Sequence, residues 1–207
     1  MLSELDYATF ARYTTRGNSE NGRKSRRLGG AVKNGNRTVI QNALKVIVST
    51  PELMDFFGKD AILVPVPRSS LYREGNLWPT KVIAEEMLKA GIGIEVCTCL
   101  ERITAVPKSG FQTNAADRPS VQRHYESLAA HFDFLESNNM ILVEDIITLG
   151  RTTFACASRL SDAFPNATVK AFGLFRTRGF EDPNLLRDVR FGTMIYRDYT
   201  GNVQMPD

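Results

Sequence analysis

Apolar residues along this chain form two kinds of pattern, short continuous runs and longer segments with helical spacing, and the two alternate. The runs over 61–67, 94–100, 140–143 and 169–175 have the length and composition of strands. From Arg37 onward Val39, Ile40, Ala43, Leu44 and Ile47 share one helix face. Thr50-Pro51-Glu52 then caps a short helix that Gly58 ends, and a helix over 79–90 turns Ile83, Met87 and Ala90 inward before Gly91 stops it. A further helix follows Thr152. Strands alternating with helices predict an α/β fold, a mainly parallel sheet with helices on both faces. Pro65 has no N–H to give a ladder, which favours an edge or a bulge for that strand. Beyond Phe191 a strand and a turn near Gly201-Asn202 predict a small C-terminal hairpin. Residues 1–37 lack this alternation and read as a basic, partly flexible N-terminal extension to a domain over 38–207. Within it, Tyr7, Phe10 and Tyr13 are spaced for one face of a short helix or for stacking on bases.

Composition narrows the setting. A chain of 207 residues, 43% hydrophobic, suffices for one sizeable core. Three cysteines, an odd number without paired spacing, suit a reducing compartment, and Cys97 and Cys99 read as alternating positions on one strand face rather than as a zinc site. No apolar stretch approaches a membrane span, and MLSELDYATF lacks the charged-then-apolar order of a signal peptide, so a soluble, cytoplasmic protein with no membrane partner is expected. A net charge of +3 says little, but its distribution says more. Arg12, Arg16, Arg23, Lys24, Arg26, Arg27, Lys33 and Arg37 stand against Glu20 alone, making an arm for a polyphosphate, a nucleic-acid contact, or a solvated lead-in. His124 and His131 fit no nucleophile motif, and His124 reads as a surface residue.

The chemistry concentrates in residues 139–160, NMILVEDIITLGRTTFACASRL. An apolar strand leads into Glu144 and Asp145, then into Thr148, Leu149, Gly150, Arg151 and Thr152, and then into a helix. Gly150 lets backbone approach an anion, Thr148 and Thr152 offer hydroxyls, and the first N–H groups of the helix point the same way. Arg151 adds charge or faces water. Two carboxylates beside a phosphate loop need vicinal hydroxyls or a divalent cation opposite them, and a ribose phosphate meets all of these demands. After residues 61–67, Arg68, Ser69 and Ser70 form a basic, hydroxyl-rich turn that reads as a second anion site or as a surface turn. The stretch over 101–124 lacks periodicity and reads as a mobile loop or a connector.

ILVEDIITLGRTT resembles the phosphoribosyl pyrophosphate (PRPP) signature of type I phosphoribosyltransferases. The resemblance implies that Glu144 and Asp145 hold the ribose 2- and 3-hydroxyls and a Mg²⁺ ion, and that residues 148–152 cradle the 5-phosphate. The family usually carries Thr or Ser where this chain has Leu149, so more of the phosphate contact falls to backbone. VPVPRSSLYREGN is similar to the strand and loop of ComF-type members through Val64, Pro65, Val66, Pro67, Arg73 and Asn76, without their cysteine-rich zinc module. In such proteins the loop after this strand holds pyrophosphate, a role that falls here to Arg68, Ser69 and Ser70. A flexible loop closes over the site with a basic residue, for which Lys108, Arg102 and Arg118 are the candidates. The implied activity is Mg²⁺-dependent transfer of the 5-phosphoribosyl group from PRPP to an unidentified nitrogenous acceptor with release of pyrophosphate. The alternatives are a PRPP- or nucleotide-sensing module without turnover and a ComF-type nucleic-acid-associated protein using the basic 12–37 segment. Partners are thus PRPP and the acceptor, with nucleic acid and a homodimer as further options.

Overall fold

The computed structural model describes residues 1–107, 118–131, 135–178 and 185–206. Its frame is a seven-stranded sheet. In chain order the elements are β1 (Glu4–Tyr13), α1 (Glu20–Lys33), α2 (Arg37–Val48), α3 (Pro51–Phe57), β2 (Ile62–Pro65), α4 (Pro79–Lys89), β3 (Glu95–Val96), β4 (Leu100–Arg102), α5 (Val121–Glu126), β5 (Leu128–Ala130), β6 (Asn139–Ile147), α6 (Arg151–Ala163), β7 (Thr168–Thr177), β8 (Arg187–Arg197) and β9 (Asn202–Gln204). The sheet order is β3-β2-β6-β7-β1-β8-β9, parallel from β3 through β1 and antiparallel at β8 and β9, so the α/β class and the C-terminal hairpin both hold. β4 and β5 make a separate two-stranded sheet.

Strand alternation divides the core into two layers. Ile62, Val64, Met140 and Leu142 face α6 through Phe154, Ala155 and Leu160, together with Val121 of α5 and Leu128 of β5. Leu63, Ile141, Val143 and Phe172 face the other way, onto Ile40 and Leu44 of α2, Phe57 of α3 and Ile83 and Met87 of α4. On that second side Glu86 of α4, with a buried side chain, accepts from Arg37, Gln41 and Lys89, and its carboxyl is pulled down to about 2, most by Lys89.

Three sequence expectations change. Residues 1–37 are not an appendage: β1 lies between β7 and β8, with Tyr7 and Phe10 buried in opposite layers, and α1 covers β1 and β6. The run over 94–100 is not one strand, since β3 pairs with β2 while Leu100 begins β4 in the other sheet. Pro65 sits in an inner strand after all. Val66 N–H donates to the Val143 carbonyl, so the Pro65 nitrogen faces the opposite side, beyond the last β3 residue paired with β2. Cys97 and Cys99 are buried in one layer, but they lie in the connection between β3 and β4 rather than on one strand face. No helix among the described residues is long and apolar enough to cross a membrane.

Candidate anion and ribose site

Parallel β2 and β6 are neighbours, so the loops after their carboxyl ends share one rim of the sheet. Between those loops opens a cavity of about 530 Å³. Its walls include Arg68 and Ser69 after β2, Glu144 and Asp145 on β6, and Thr148, Leu149, Gly150, Arg151 and Thr152 around the start of α6. Ser70 is not among them and lines a second, smaller cavity. Lys108 lies outside the described residues.

The turn into α6 depends on Gly150. It adopts φ +71°, and a Cβ there would lie 2.9 Å from Met205 Sδ and 3.0 Å from Met194 Sδ. No side chain caps α6, which leaves its amino end, lined onto the cavity by residues 150–153, as the anion-facing element of the loop. The hydroxyls contribute less than expected. Thr148 Oγ1 lies 3.2 Å from Thr177 Oγ1 of β7, and the Thr148 carbonyl accepts from Arg176. Arg151 donates to the Arg118 carbonyl at 3.1 Å and to Asn202 Oδ1 at 2.6 Å, so it ties the loop to β9 rather than facing water.

Pleating would send Glu144 and Asp145 to opposite faces, yet both line the cavity. Glu144 Oε1 accepts from the Asp145 amide at 3.3 Å, and Asp145 Oδ1 accepts from the Ile146 amide at 2.7 Å. Burial, and then the neighbouring Asp145 carboxylate, pushes the Glu144 carboxyl well above its ordinary range, while Lys33 at the end of α1 pulls the other way. An acidic pair under that strain fits a divalent cation. The described residues hold no cluster of three or more His, Cys, Asp and Glu that would enclose one.

Of the remaining walls, the sequence pointed to Arg102 and Arg118 but not to Lys33 or His124 as site residues. Lys33 enters because α1 packs on the sheet, and its ammonium sits 5.9 Å from the Tyr13 ring centroid. His124 is not a surface residue: it is 2% exposed, with Nε2 3.3 Å from Thr152 Oγ1. Burial first, then Arg102, Arg151 and Arg123, push it down to about 4, so it is neutral at pH 7. Arg102 belongs to β4 rather than to a mobile loop. Its guanidinium is buried, donating through Nε to the Arg68 carbonyl at 3.0 Å and through Nη1 to Ser127 Oγ and the His124 carbonyl. Arg118 also lines the cavity. The polar residues Ser120, Ser127 and Arg102, regularly bonded around α5, carry no sequence period that would have revealed this wall.

No protein-family model matches this chain, and no curated protein matches it.

Proposed function

We propose that this cavity binds a ribose 5-phosphate bearing an anionic group at C1. More particularly, the protein acts as a Mg²⁺-dependent phosphoribosyltransferase, moving the 5-phosphoribosyl group of PRPP to a nitrogenous acceptor and releasing pyrophosphate. One observation carries the reading: the carboxylate pair, the helix amino end and the basic turn after β2 line a single cavity at adjacent strand ends.

Glu144 and Asp145 accept hydrogen bonds from the ribose hydroxyls, and their charge favours the oxocarbenium character that develops as the C1–O bond to pyrophosphate breaks. The amino end of α6 and the Thr152 hydroxyl receive the 5-phosphate. Arg68, Ser69, Arg102 and Arg118 face the departing pyrophosphate. The acceptor nitrogen forms the new bond to C1 and its proton passes to solvent or to the released pyrophosphate. Mg²⁺, when held by Glu144 and Asp145, supplies charge neutralisation for the diphosphate. Positioning and electrostatics do the rest. A second reading, PRPP sensing without turnover, is favoured by the Thr148 hydroxyl being shared with Thr177 and by Leu149 beside it.

Calorimetric titration of PRPP with Mg²⁺ into the wild type and Asp145→Asn tests the reading. Saturable binding that Asp145→Asn abolishes, followed by pyrophosphate release with a nucleobase acceptor, is the expected outcome. Binding without release from any acceptor selects the sensor, and binding by neither protein removes both.

A further inference from the structure

A second cavity of about 200 Å³ lies against the first, on the far side of Arg68 and Arg102, which line both. We propose that it binds a planar heteroaromatic ligand carrying an anionic group, of the nucleoside monophosphate class. The inference rests on this cavity, including the Arg68 and Arg102 that it shares with the first, and does not require the PRPP reading.

Three features set the chemistry. Tyr72 and Trp78 supply the ring surface: their centroids are 5.6 Å apart at a 46° tilt, and the indole is held by a hydrogen bond from Nε1 to the Val66 carbonyl at 2.9 Å. A fixed aromatic wall of this kind stacks a base of any sequence. Lys81, Arg68 and Arg102 supply positive charge, while the one carboxylate on the wall, Glu101, is engaged by His131 Nε2 at 2.8 Å. Most telling is Arg102. It is 2% exposed, and its Nη2 is buried with no hydrogen-bond partner among the described residues, although Nε and Nη1 are both bonded. A buried guanidinium edge without an acceptor is costly, and an anion is the acceptor that suits it. A cavity of this size, open on one side, is too small for a dinucleotide.

Trp78 is the only tryptophan, so the site carries its own reporter. Adenosine monophosphate is titrated into the full chain while tryptophan emission is followed, with inorganic phosphate and adenosine as separate probes. Tyr72 is half exposed, so Tyr72→Ala leaves the fold intact, and Asp145→Asn serves as the control for the first cavity. The expected result is saturable quenching by adenosine monophosphate, weaker with either fragment alone, weakened about tenfold in Tyr72→Ala and in Lys81→Ala, and unchanged in Asp145→Asn. Absence of quenching overturns the proposal. So does quenching that Tyr72→Ala leaves untouched, or quenching that Asp145→Asn abolishes, since the ligand would then occupy the first cavity. Loss of PRPP binding in Asp145→Asn with quenching retained separates the fate of this site from that of the proposed activity.

Discussion

Glu144 carries the clearest consequence at the scale of single residues. Its carboxyl is pushed up by burial and by Asp145, so the folded state binds its proton more tightly than the unfolded chain does. Stability from this group is therefore full at acid pH and is lost as pH rises from the unfolded carboxylate range through the raised value. Above the unfolded carboxylate range the folded chain must either keep that proton or carry a disfavoured charge, so Glu144→Gln is expected to melt higher than wild type at alkaline pH, the gap closing as pH falls into the ordinary carboxylate range. Thermal melts across that range check it; equal melting at every pH would show that Glu144 is solvated. Cation binding should narrow the same gap, because the charge is then compensated. His124 shows the converse, a ring kept neutral by burial and by three neighbouring arginines.

At the scale of elements, α1 is held to the sheet by what it lacks. Its buried positions are Gly22, Ser25, Gly29 and Val32, so the helix backbone can come close to β1 and β6. A Cβ at Gly29 would lie 2.7 Å from Tyr13 Cε2, and that ring is pinned edge-on against Phe175. Gly30, one residue on, has nothing within 4 Å of where its Cβ would stand. The two glycines thus make a paired test. Gly30→Ala should stabilise by up to about 1 kcal/mol through helix propensity. In Gly29→Ala the same gain is outweighed by overpacking of roughly 1–3 kcal/mol, and Lys33 moves off the cavity rim. Urea denaturation reads the first effect, and pyrophosphate affinity reads the displacement. If both variants gain stability equally, the close approach of α1 is not constraining.

For the whole molecule, the consequence follows from the position of β1. It is hydrogen-bonded to β7 on one side and β8 on the other, so it joins the parallel part of the sheet to the antiparallel end. Deleting residues 1–13 would leave both neighbours with unpaired edges and remove Leu5, Tyr7, Ala8 and Phe10 from the two core layers. The truncated chain is expected to lose cooperative unfolding, as followed by circular dichroism and urea titration. A soluble 14–207 fragment with a sharp transition would contradict this topology. The same connection makes a deletion of residues 1–37 unsuitable for testing the basic segment, for which charge substitutions at the exposed Lys24 and Arg27 of α1 are the proper probe.

The sequence by itself determined the local elements with strong period and punctuation: α2 by its apolar face, α3 and α4 with their proline starts and glycine stops, β6 and β7 as apolar runs, and the Glu144-Asp145 and 148–152 motif between β6 and α6. These follow from propensities and spacings that neighbours in the chain decide. Tertiary structure decided what depends on distant partners. β1 is a strand because β7 and β8 hydrogen-bond it, α1 forms despite its glycines because they admit close packing, and 94–102 divides between two sheets because two different strands recruit its ends. The site divides in the same way. Its acidic pair and phosphate loop lie in one continuous stretch and were legible there, whereas Lys33 and His124 reach the cavity from α1 and α5, elements brought together only when both faces of the sheet are covered.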